Sequence, residues 1–179
     1  GELTLRAERD GLTGLFNRLT FVEQVELRLN FDVGDRLPAF IILDLDHFKQ
    51  VNDTFGLEAG DNVLKKTAEI LARTCRTGDI IGRLGGEEFG VLIAVREEKE
   101  ALIAAERIRD AISTAPIHKT VPGLTHFSAS IGVAIAGENA TSWTEMYQRA
   151  DQALYVAKAE GRNRVHVAAP PAKPMASAA

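Results

Sequence analysis

The sequence has little cysteine, no excess of basic charge and no long apolar run, and each absence excludes a class of protein. Cys75 is the single cysteine in 179 residues, so an internal disulfide is impossible and the composition is typical of a reducing cytoplasm. The formal net charge of −4 leaves no basic surface to release counterions, which argues against nucleic-acid binding. No apolar run approaches the roughly 20 residues of a membrane span, and we expect no signal peptide in this segment. We expect a cytoplasmic segment that contacts neither nucleic acid nor a membrane.

What the sequence does have is a hydrophobic content of 45%, enough for the core of one globular domain. It does not begin with methionine and opens in a charged helical pattern. We therefore expect residues 1–9 to be the end of an upstream signalling helix or linker in a longer protein, which could be membrane-anchored through other regions. Residues 10–167 form the predicted domain, and the Ala/Pro-rich residues 168–179 are expected to be a disordered tail.

The apolar pattern of the chain predicts an α+β fold. The stretch 39–46 is almost wholly apolar, as is typical of an interior strand covered on both faces. Gly85 and Gly86 lie between two apolar runs and predict a hairpin in mid-chain, which excludes a purely parallel sheet. A strand or hairpin is expected around 117–121, further strands at 127–136 and 164–167, and helices at 18–32, 47–54, 61–75, 97–113 and 141–159. The predicted result is a central, mainly antiparallel β-sheet surrounded by helices.

Acidic residues stand at two junctions of this pattern. Asp44 and Asp46 end the interior strand, and Asp46 is predicted to cap the next helix. Burying a carboxylate without a partner costs several kcal/mol, so Asp44 either lies at a solvated strand end or binds a metal ion. Glu87 and Glu88 occupy the hairpin turn, where two carboxylates beside backbone N–H groups are suited to hold a divalent cation against an anion. A plain solvated turn is the alternative.

Groups able to bind an anion or a base follow the acidic strand end. The helix that starts after Asp46 offers free N–H groups to a phosphate, and Lys49 adds a mobile cation on its first turn. Asn52 carries an amide able to contact a base edge. Taken separately, each of these residues is more often simply a surface residue.

Two further pairs of residues also have simple explanations. Lys158 and Arg162 lie near the end of the last predicted helix, where the macrodipole favours cations whether or not a phosphate binds. Arg76 and Asp79 lie just upstream of the hairpin, and by default they form a local ion pair of little energetic weight.

Taken together, six motifs in series resemble the GGDEF domain family, the diguanylate cyclases, over residues 10–167. They are Asp10-x-Leu12-Thr13-Gly14-Leu15-x-Asn17-Arg18, Asp44-Leu45-Asp46-x-Phe48-Lys49-x-x-Asn52-Asp53-x-x-Gly56, Gly60-Asp61, Gly85-Gly86-Glu87-Glu88-Phe89, Ser130-Ile131-Gly132-Val133 and Arg149-Ala150-Asp151-x-Ala153-Leu154-Tyr155-x-Ala157-Lys158-x-x-Gly161-Arg162-Asn163. The resemblance implies a fold like the palm of the class III nucleotide cyclases. It also implies that two GTP molecules condense to cyclic di-GMP and release two pyrophosphates. Catalysis would need a homodimer in which each 3′-hydroxyl attacks the opposite α-phosphate.

The same resemblance implies the metal ligands and the catalytic residues. Asp44, the backbone carbonyl of Leu45 and Glu87 would ligate Mg²⁺ (or Mn²⁺), and Glu88 would complete a second metal position, giving two ions per site. Glu87 is also the candidate base for the 3′-hydroxyl. Lys49 would stabilise the charge of the transition state.

The substrate contacts implied by the resemblance divide between phosphates and base. Phe48 would offer its backbone N–H to the phosphates, with Lys158 and Arg162 on the β- and γ-phosphates. Asn52 and Asp61 would contact guanine. A carboxylate that accepts from guanine N1–H and N2–H₂ selects against adenine, whose edge lacks these donors.

The resemblance also implies a product-inhibition site and two departures from the usual family pattern. Arg76 and Asp79 would bind cyclic di-GMP and slow the enzyme, and an upstream sensor domain would set its activity. The signature is Gly-Gly-Glu-Glu-Phe, which keeps the carboxylate of the usual Gly-Gly-Asp-Glu-Phe. Leu57 stands where the family usually has histidine, so we expect weaker GTP binding. The alternative is a weak or inactive domain that serves as a cyclic di-GMP receptor through Arg76 and Asp79.

Overall fold

A buried apolar strand at the centre of one mixed sheet organises the fold. The computed structural model describes residues 7–31, 34–137 and 141–170. The strands in chain order are β1 (Leu37–Leu45), β2 (Ile80–Gly85), β3 (Glu88–Val95), β4 (Ala129–Ile135) and β5 (Val165–Val167). Their order across the sheet is β2-β3-β1-β4-β5, and β4–β5 is the one parallel pair among these strands. The α+β class and the mainly antiparallel sheet are therefore confirmed.

Helices cover both faces of the sheet, which explains the unbroken apolar run of β1. The helices are α1 (Arg18–Asn30), α2 (Phe48–Phe55), α3 (Leu57–Thr74), α4 (Glu98–Ser113) and α5 (Trp143–Ala159). Ile41 and Leu43 of β1 join one core, with α2, α3 and α4, while Phe40 and Ile42 join the other, with α1 and α5. Because successive side chains of a strand point to opposite faces, a strand covered on both faces must be apolar at nearly every position.

The start of α3 differs from the prediction that it begins at Asp61. Gly56, with φ 95° and ψ 166°, separates α2 from α3, and α3 starts directly at Leu57. The carbonyl of Gly56 accepts a hydrogen bond from the N–H of Gly60 at 3.2 Å, which closes the first turn of α3. The glycine at this junction thus replaces a longer loop.

The strand or hairpin predicted around 117–121 is wrong. Ile117–Lys119 is instead a single 3₁₀ turn, and the N–H of Val121 donates to the carbonyl of Ile117 at 2.9 Å. Ile117 and Val121 are buried while Lys119 between them is exposed, which fits a helical turn, because a strand would place all three side chains on one face. The preceding Pro116 has no N–H to donate to a strand ladder.

The first described residues, 7–9, are not helical, so the helix predicted over 1–9 does not extend to them. Arg9 forms an isolated bridge with Phe16, and the carbonyl of Glu8 accepts from the N–H of Asn17 at 3.0 Å. These bonds to the 10–17 loop replace helical ones. The rest of the prediction, residues 1–6, lies outside the described residues.

The first residues of the predicted tail are bonded to the sheet. The N–H of Ala168 donates to the carbonyl of Val133 at 2.7 Å, and the guanidinium of Arg149 donates to the carbonyl of Ala169 at 2.9 Å. Residues 171–179 lie outside the described part of the chain. None of the helices within 7–31, 34–137 and 141–170 is long and apolar enough to cross a bilayer.

Candidate active site at the end of the central strand

The two acidic segments singled out in the sequence lie side by side. Asp44 is in register with Glu88 of β3 and with Ser130 of β4. One residue further, the N–H of Leu45 donates to the carbonyl of Glu87 at 3.3 Å. The antiparallel pairing of β1 with β3 therefore brings the end of the central strand against the hairpin turn.

The hairpin turn itself depends on its two glycines. Gly85 pairs with Glu88, so Gly86 and Glu87 form the loop, as the hairpin prediction requires. Gly85 and Gly86 have φ angles of 151° and 46°, a region that side-chain-bearing residues rarely adopt. Arg83 holds the turn, because its Nε and Nη2 donate to the carbonyl of Gly86 at 3.0 and 2.9 Å.

Arg83 also connects the hairpin to the first sequence motif. Its Nη1 is 3.2 Å from Asp10 Oδ2, and both groups are largely shielded from solvent. Burial alone would raise the pKa of Asp10, but hydrogen bonds from the hydroxyl and backbone N–H of Thr13, together with Arg83, lower it. The ionised Asp10 thus fixes the guanidinium that holds the hairpin turn.

Asp44 is half-buried, and its partner is a residue more than a hundred positions away. Lys158 Nζ donates to Asp44 Oδ2 at 2.7 Å. Burial raises the pKa of Asp44 and Lys158 opposes that rise, while the nearby Glu87 and Asp46 carboxylates raise it further. The carboxylates of Asp44, Asp46 and Glu87 therefore carry more negative charge than the ammonium group of Lys158 alone compensates.

Glu88 has a different partner. The hydroxyl of Tyr147 on α5 donates to Glu88 Oε1 at 2.8 Å. Burial raises the pKa of Glu88 and the Tyr147 hydrogen bond opposes it, while Asp44 and Asp151 add to the rise. Burial and Glu88 together raise the pKa of Tyr147 to about 12. Tyr147 therefore stays a proton donor, and Glu88 is held in a fixed orientation.

The donors fit a hard divalent cation, although they are not gathered into a closed cage. Within the described part of the chain, no three His, Cys, Asp or Glu side chains converge in a geometry ready to hold a metal. The charge of Glu87 nevertheless adds to the rise in the pKa of Asp44, and the charge of Asp44 adds to the rise in the pKa of Glu88. Oxygen donors with uncompensated negative charge are the ligands that Mg²⁺ and Mn²⁺ prefer.

The prediction that Asp46 caps α2 is wrong. The residue before α2 is His47, in a left-handed conformation with φ 56°, and it makes no side-chain capping bond. Asp46 instead points into the protein, where its carboxylate accepts from the hydroxyls of Ser128 and Ser130. Those hydroxyls compete successfully for the carboxylate, so the first N–H groups of α2, including that of Phe48, are left without a side-chain cap.

The predicted guanine contacts lie at the crossing of α2 and α3. A Cβ on Gly60 would lie 1.7 Å from Asn52 Oδ1 and 3.3 Å from the ring of Phe48, so only glycine leaves room for these side chains. Asp61 follows Gly60 directly and is exposed. The structure thus places the Asn52 amide against the backbone that precedes Asp61. Leu57, at the start of α3, is 77% exposed.

Two other predicted substrate contacts, Lys49 and Arg162, make no hydrogen bond or ion pair with Asp44 or Glu88 among the described residues. Lys49 is exposed on the first turn of α2, and among the described residues no hydrogen bond or ion pair joins Lys49 or Asp61 to Asp44 or Glu88. Arg162, with φ 65°, lies in the turn after α5 and lines a cavity of about 600 Å³ that reaches His47.

Arg76 and Asp79 lie elsewhere, towards the opposite end of β3. The carboxylate of Asp79 accepts from the backbone N–H of Arg76 at 2.8 Å, and the Arg76 side chain is exposed. Burial raises the pKa of Asp79, and the Arg76 contacts oppose that rise. Both residues line a cavity of about 400 Å³ whose wall carries further guanidinium groups, those of Arg36, Arg96 and Arg107.

The sequence alone does not predict the roles of three residues that shape the site. Gly60 appears there only as part of a motif; in the structure it lies inside α3, where a glycine often marks close packing. Tyr147 and Arg83 act over separations of 59 and 73 residues, towards Glu88 and Asp10, and no local pattern indicates such contacts.

Comparison with known proteins gives one consistent result. The sequence model of the family described as "Diguanylate cyclase, GGDEF domain" matches residues 7–164. The diguanylate cyclase DgcP of Pseudomonas aeruginosa is 43% identical over 166 residues, which cover 91% of this chain and 24% of that protein. The probable diguanylate cyclase DgcT of Escherichia coli is 40% identical over 163 residues, which cover 90% of this chain and 36% of that protein. The chain therefore spans well under half the length of these relatives.

A solved structure agrees with the sequence matches. The GGDEF domain of DgcB from Caulobacter crescentus, in complex with c-di-GMP, is similar with a TM-score of 0.82 and 32% sequence identity. The similarity covers 93% of this chain and 98% of that one.

Proposed function

Because this chain belongs to the diguanylate cyclase, GGDEF domain family, we propose that it condenses two molecules of GTP to cyclic di-GMP and releases two pyrophosphates. One observation carries the proposal: the register of β1 with β3 places Asp44 beside Glu88 and the Glu87 turn, next to the uncapped start of α2. Phosphoryl transfer needs charge compensation and positioning more than covalent chemistry, and this arrangement offers both.

Asp44, the carbonyl of Leu45 and Glu87 would hold Mg²⁺ or Mn²⁺, with Glu88 at a second position. When bound, the ions supply charge compensation for the attacking and departing oxygens. Support comes from the neighbouring carboxylates, whose charges add to the burial that raises the pKa of Asp44 and of Glu88. Glu88 Oε1 already accepts from Tyr147, so its second oxygen would be the ligand.

The protein's own groups would bind and activate the substrate. Glu87 would take the proton of the 3′-hydroxyl, and Lys49 would stabilise charge in the transition state. The N–H of Phe48 would donate to a phosphate oxygen, since no side chain caps α2. Lys158 now pairs with Asp44, and its flexible stem allows it to exchange that partner for a β- or γ-phosphate, alongside Arg162.

Guanine would be recognised by Asn52 and Asp61. The amide of Asn52 is fixed by the close approach of Gly60, and the Asp61 carboxylate is exposed and available. A buried hydrogen-bonding edge discriminates strongly, because the wrong base leaves polar groups unpaired. Leu57 offers no hydrogen bond at the edge of this site, so affinity for GTP is expected to be modest.

The reaction also requires a second copy of the chain. Each GTP must present its 3′-hydroxyl to the α-phosphate of the other, and one site holds one GTP. We propose that a homodimer, controlled by an upstream sensor domain, brings two sites together. Turnover should therefore rise faster than linearly with protein concentration.

Product inhibition would act at Arg76 and Asp79. The cavity of about 400 Å³ at these residues carries several guanidinium groups, which stack on guanine and bind phosphate oxygens through two donors at once. Cyclic di-GMP bound there would slow turnover from a distance. The relative DgcB was solved in complex with c-di-GMP, which makes this ligand a reasonable choice.

The second candidate function is a cyclic di-GMP receptor without useful turnover. The arginine-lined cavity favours it, as does Leu57 in place of histidine. Tight cyclic di-GMP binding with no product from GTP would select this alternative.

The test is a turnover assay with purified protein, GTP and Mg²⁺, with chromatographic detection of cyclic di-GMP. Glu87→Ala should abolish product formation. Glu26→Ala, at an exposed position of α1, is the matched control and should retain activity. Absence of product from the unmodified protein across a range of concentrations would contradict the proposal.

A further inference from the structure

Asp46 is a buried carboxylate that no step of the proposed reaction uses. It is 7% exposed and lies in the loop between β1 and α2. Its oxygens accept hydrogen bonds from Ser130 Oγ at 2.6 Å, Ser128 Oγ at 2.7 Å and the backbone N–H of Asn163 at 3.0 Å. Asp46 therefore joins three segments: the β1–α2 loop, the start of β4 and the turn that follows α5.

The turn after α5 has a conformation that external contacts must maintain. Arg162 and Asn163 have φ angles of 65° and 45°, and two consecutive non-glycine residues rarely adopt this left-handed conformation. The N–H of Arg162 donates to the carbonyl of Ala157 at 3.0 Å, and the side chain of Asn163 accepts from Arg109 at 3.0 Å. Asp46 holds the same turn from the side of α2.

We propose that Asp46 is a positioning residue that fixes Arg162 for the β- and γ-phosphates of GTP by tying the turn after α5 to β4 and to the start of α2. The inference rests on the proposed function, which assigns those phosphates to Arg162. Asp46, His47 and Arg162 line one cavity, of about 600 Å³, between the two segments that would contact the triphosphate. Without the carboxylate, the N–H of Asn163 loses its acceptor and the left-handed pair can relax, which moves the guanidinium of Arg162.

A purely structural role for Asp46 makes a different prediction from a positioning role. Loss of a merely structural residue lowers the stability of the fold and weakens every nucleotide to the same extent. Loss of a residue that acts through Arg162 weakens only those nucleotides that carry β- and γ-phosphates. The affinities for a triphosphate and a monophosphate therefore separate the two roles.

The experiment compares Asp46→Asn with the unmodified protein by calorimetry, using GTP with an α,β-methylene bridge and GMP as probes, both with Mg²⁺. Asparagine keeps the shape but removes the negative charge and one of the two acceptor oxygens, so the three charge-assisted hydrogen bonds from Ser128, Ser130 and Asn163 can no longer all be made. We expect the triphosphate analogue to bind about tenfold more weakly and the GMP affinity to change less than twofold. Ile112→Val, a change at a buried core residue of α4, is the control for lost stability and should alter neither affinity.

A double-variant cycle tests whether Asp46 acts through Arg162. Asp46→Asn combined with Arg162→Ala should bind the analogue no more weakly than Arg162→Ala alone, because coupled residues are not additive. Equal weakening of the analogue and GMP, or additive losses in the double variant, would overturn the inference. Failure of the unmodified protein to bind the analogue would instead overturn the proposed function on which the inference rests.

Ser130→Ala provides the same test if Asp46→Asn does not fold. It removes one donor to the carboxylate and leaves the bond to Asn163 in place. The analogue should then lose a smaller, severalfold share of its affinity, with GMP again unaffected. No change in the analogue's affinity with this variant would contradict the inference.

Discussion

The two ends of β3 differ in the sign of their charge and in how that charge is held. At the Glu88 end, the carboxylates are half-buried and oriented by partners: Asp44 by Lys158 and Glu88 by Tyr147. At the Val95 end, guanidinium groups surround an open cavity, and Arg96 pairs with Asp35 only at the exposed surface. At the Glu88 end, like charges lie close together in a fixed geometry. At the Val95 end, guanidinium groups line a cavity that a ligand can enter.

From this difference we expect the two proposed guanine nucleotides to need different help to bind. A triphosphate should approach Asp44 and Glu88 only if a cation lies between them. Cyclic di-GMP should bind directly to the arginines, because their charge already has the opposite sign. Metal dependence should therefore distinguish the two ends of the strand.

Chelation should have the largest effect. With EDTA in excess over Mg²⁺, we expect turnover of GTP to fall below detection, because the acidic end then repels the triphosphate. The affinity for cyclic di-GMP, measured by calorimetry, should change less than twofold. Loss of cyclic di-GMP binding on chelation would show that the arginine-lined cavity is not an independent site.

Removal of a single guanidinium should have the next largest effect. Arg76→Ala is expected to raise the cyclic di-GMP concentration for half-inhibition by roughly 10- to 100-fold, the range of about 1.5–3 kcal/mol for a hydrogen bond to a charged group. Inhibition curves, each normalised to the variant's own uninhibited rate, give the measurement. Lys119→Ala, a cation on the turn after α4, is the control and should leave the curve unchanged. Unaltered inhibition in Arg76→Ala would show that the arginine-lined cavity is not the product-inhibition site.

A change at Gly60 should separate the two guanine sites. Gly60→Ala puts a Cβ on the Asn52 amide, so we expect the KM for GTP to rise about tenfold while cyclic di-GMP affinity is retained. Discrimination against ATP should fall with it. Gly11→Ala, where a Cβ would meet nothing within 4 Å, is the matched control for replacing a glycine. Equal loss of both nucleotides in Gly60→Ala would mean that the variant damages the fold rather than one site.

The sequence predicts the positions of the acidic residues better than it predicts the residues that contact them. The apolar run before Asp44 and the glycines before Glu87 are local patterns, and each indicates its own strand or turn. That Asp44 lies beside Glu88 and the Glu87 turn follows from the antiparallel register of β1 with β3, and the Lys158–Asp44 pair joins residues 114 positions apart. The error at Asp46 has the same origin, because a local capping rule cannot anticipate two serine hydroxyls 82 and 84 residues away.

The smallest expected effect concerns stability: it tests whether the ionised carboxylate of Glu88 lowers the free energy of unfolding. Glu88 has its pKa raised above the usual 4.5, chiefly by burial, so the folded protein holds this proton more tightly than the unfolded chain. The stability that this contributes is complete below pH 4.5 and is lost as pH rises through the folded-state pKa. At neutral pH without metal, the ionised Glu88 therefore destabilises the fold.

Glu88→Gln should remove that cost while keeping an acceptor for Tyr147. We expect the metal-free melting temperature at pH 7 to rise by a few degrees, with the difference shrinking towards pH 4. Glu26→Gln, at an exposed position, is the control and should show no such pH-dependent gain. A gain that is independent of pH would assign the effect to packing rather than charge. A loss of stability at pH 7 would show that the acidic end is already compensated, and the contrast between the two ends of β3 would then lie in geometry alone.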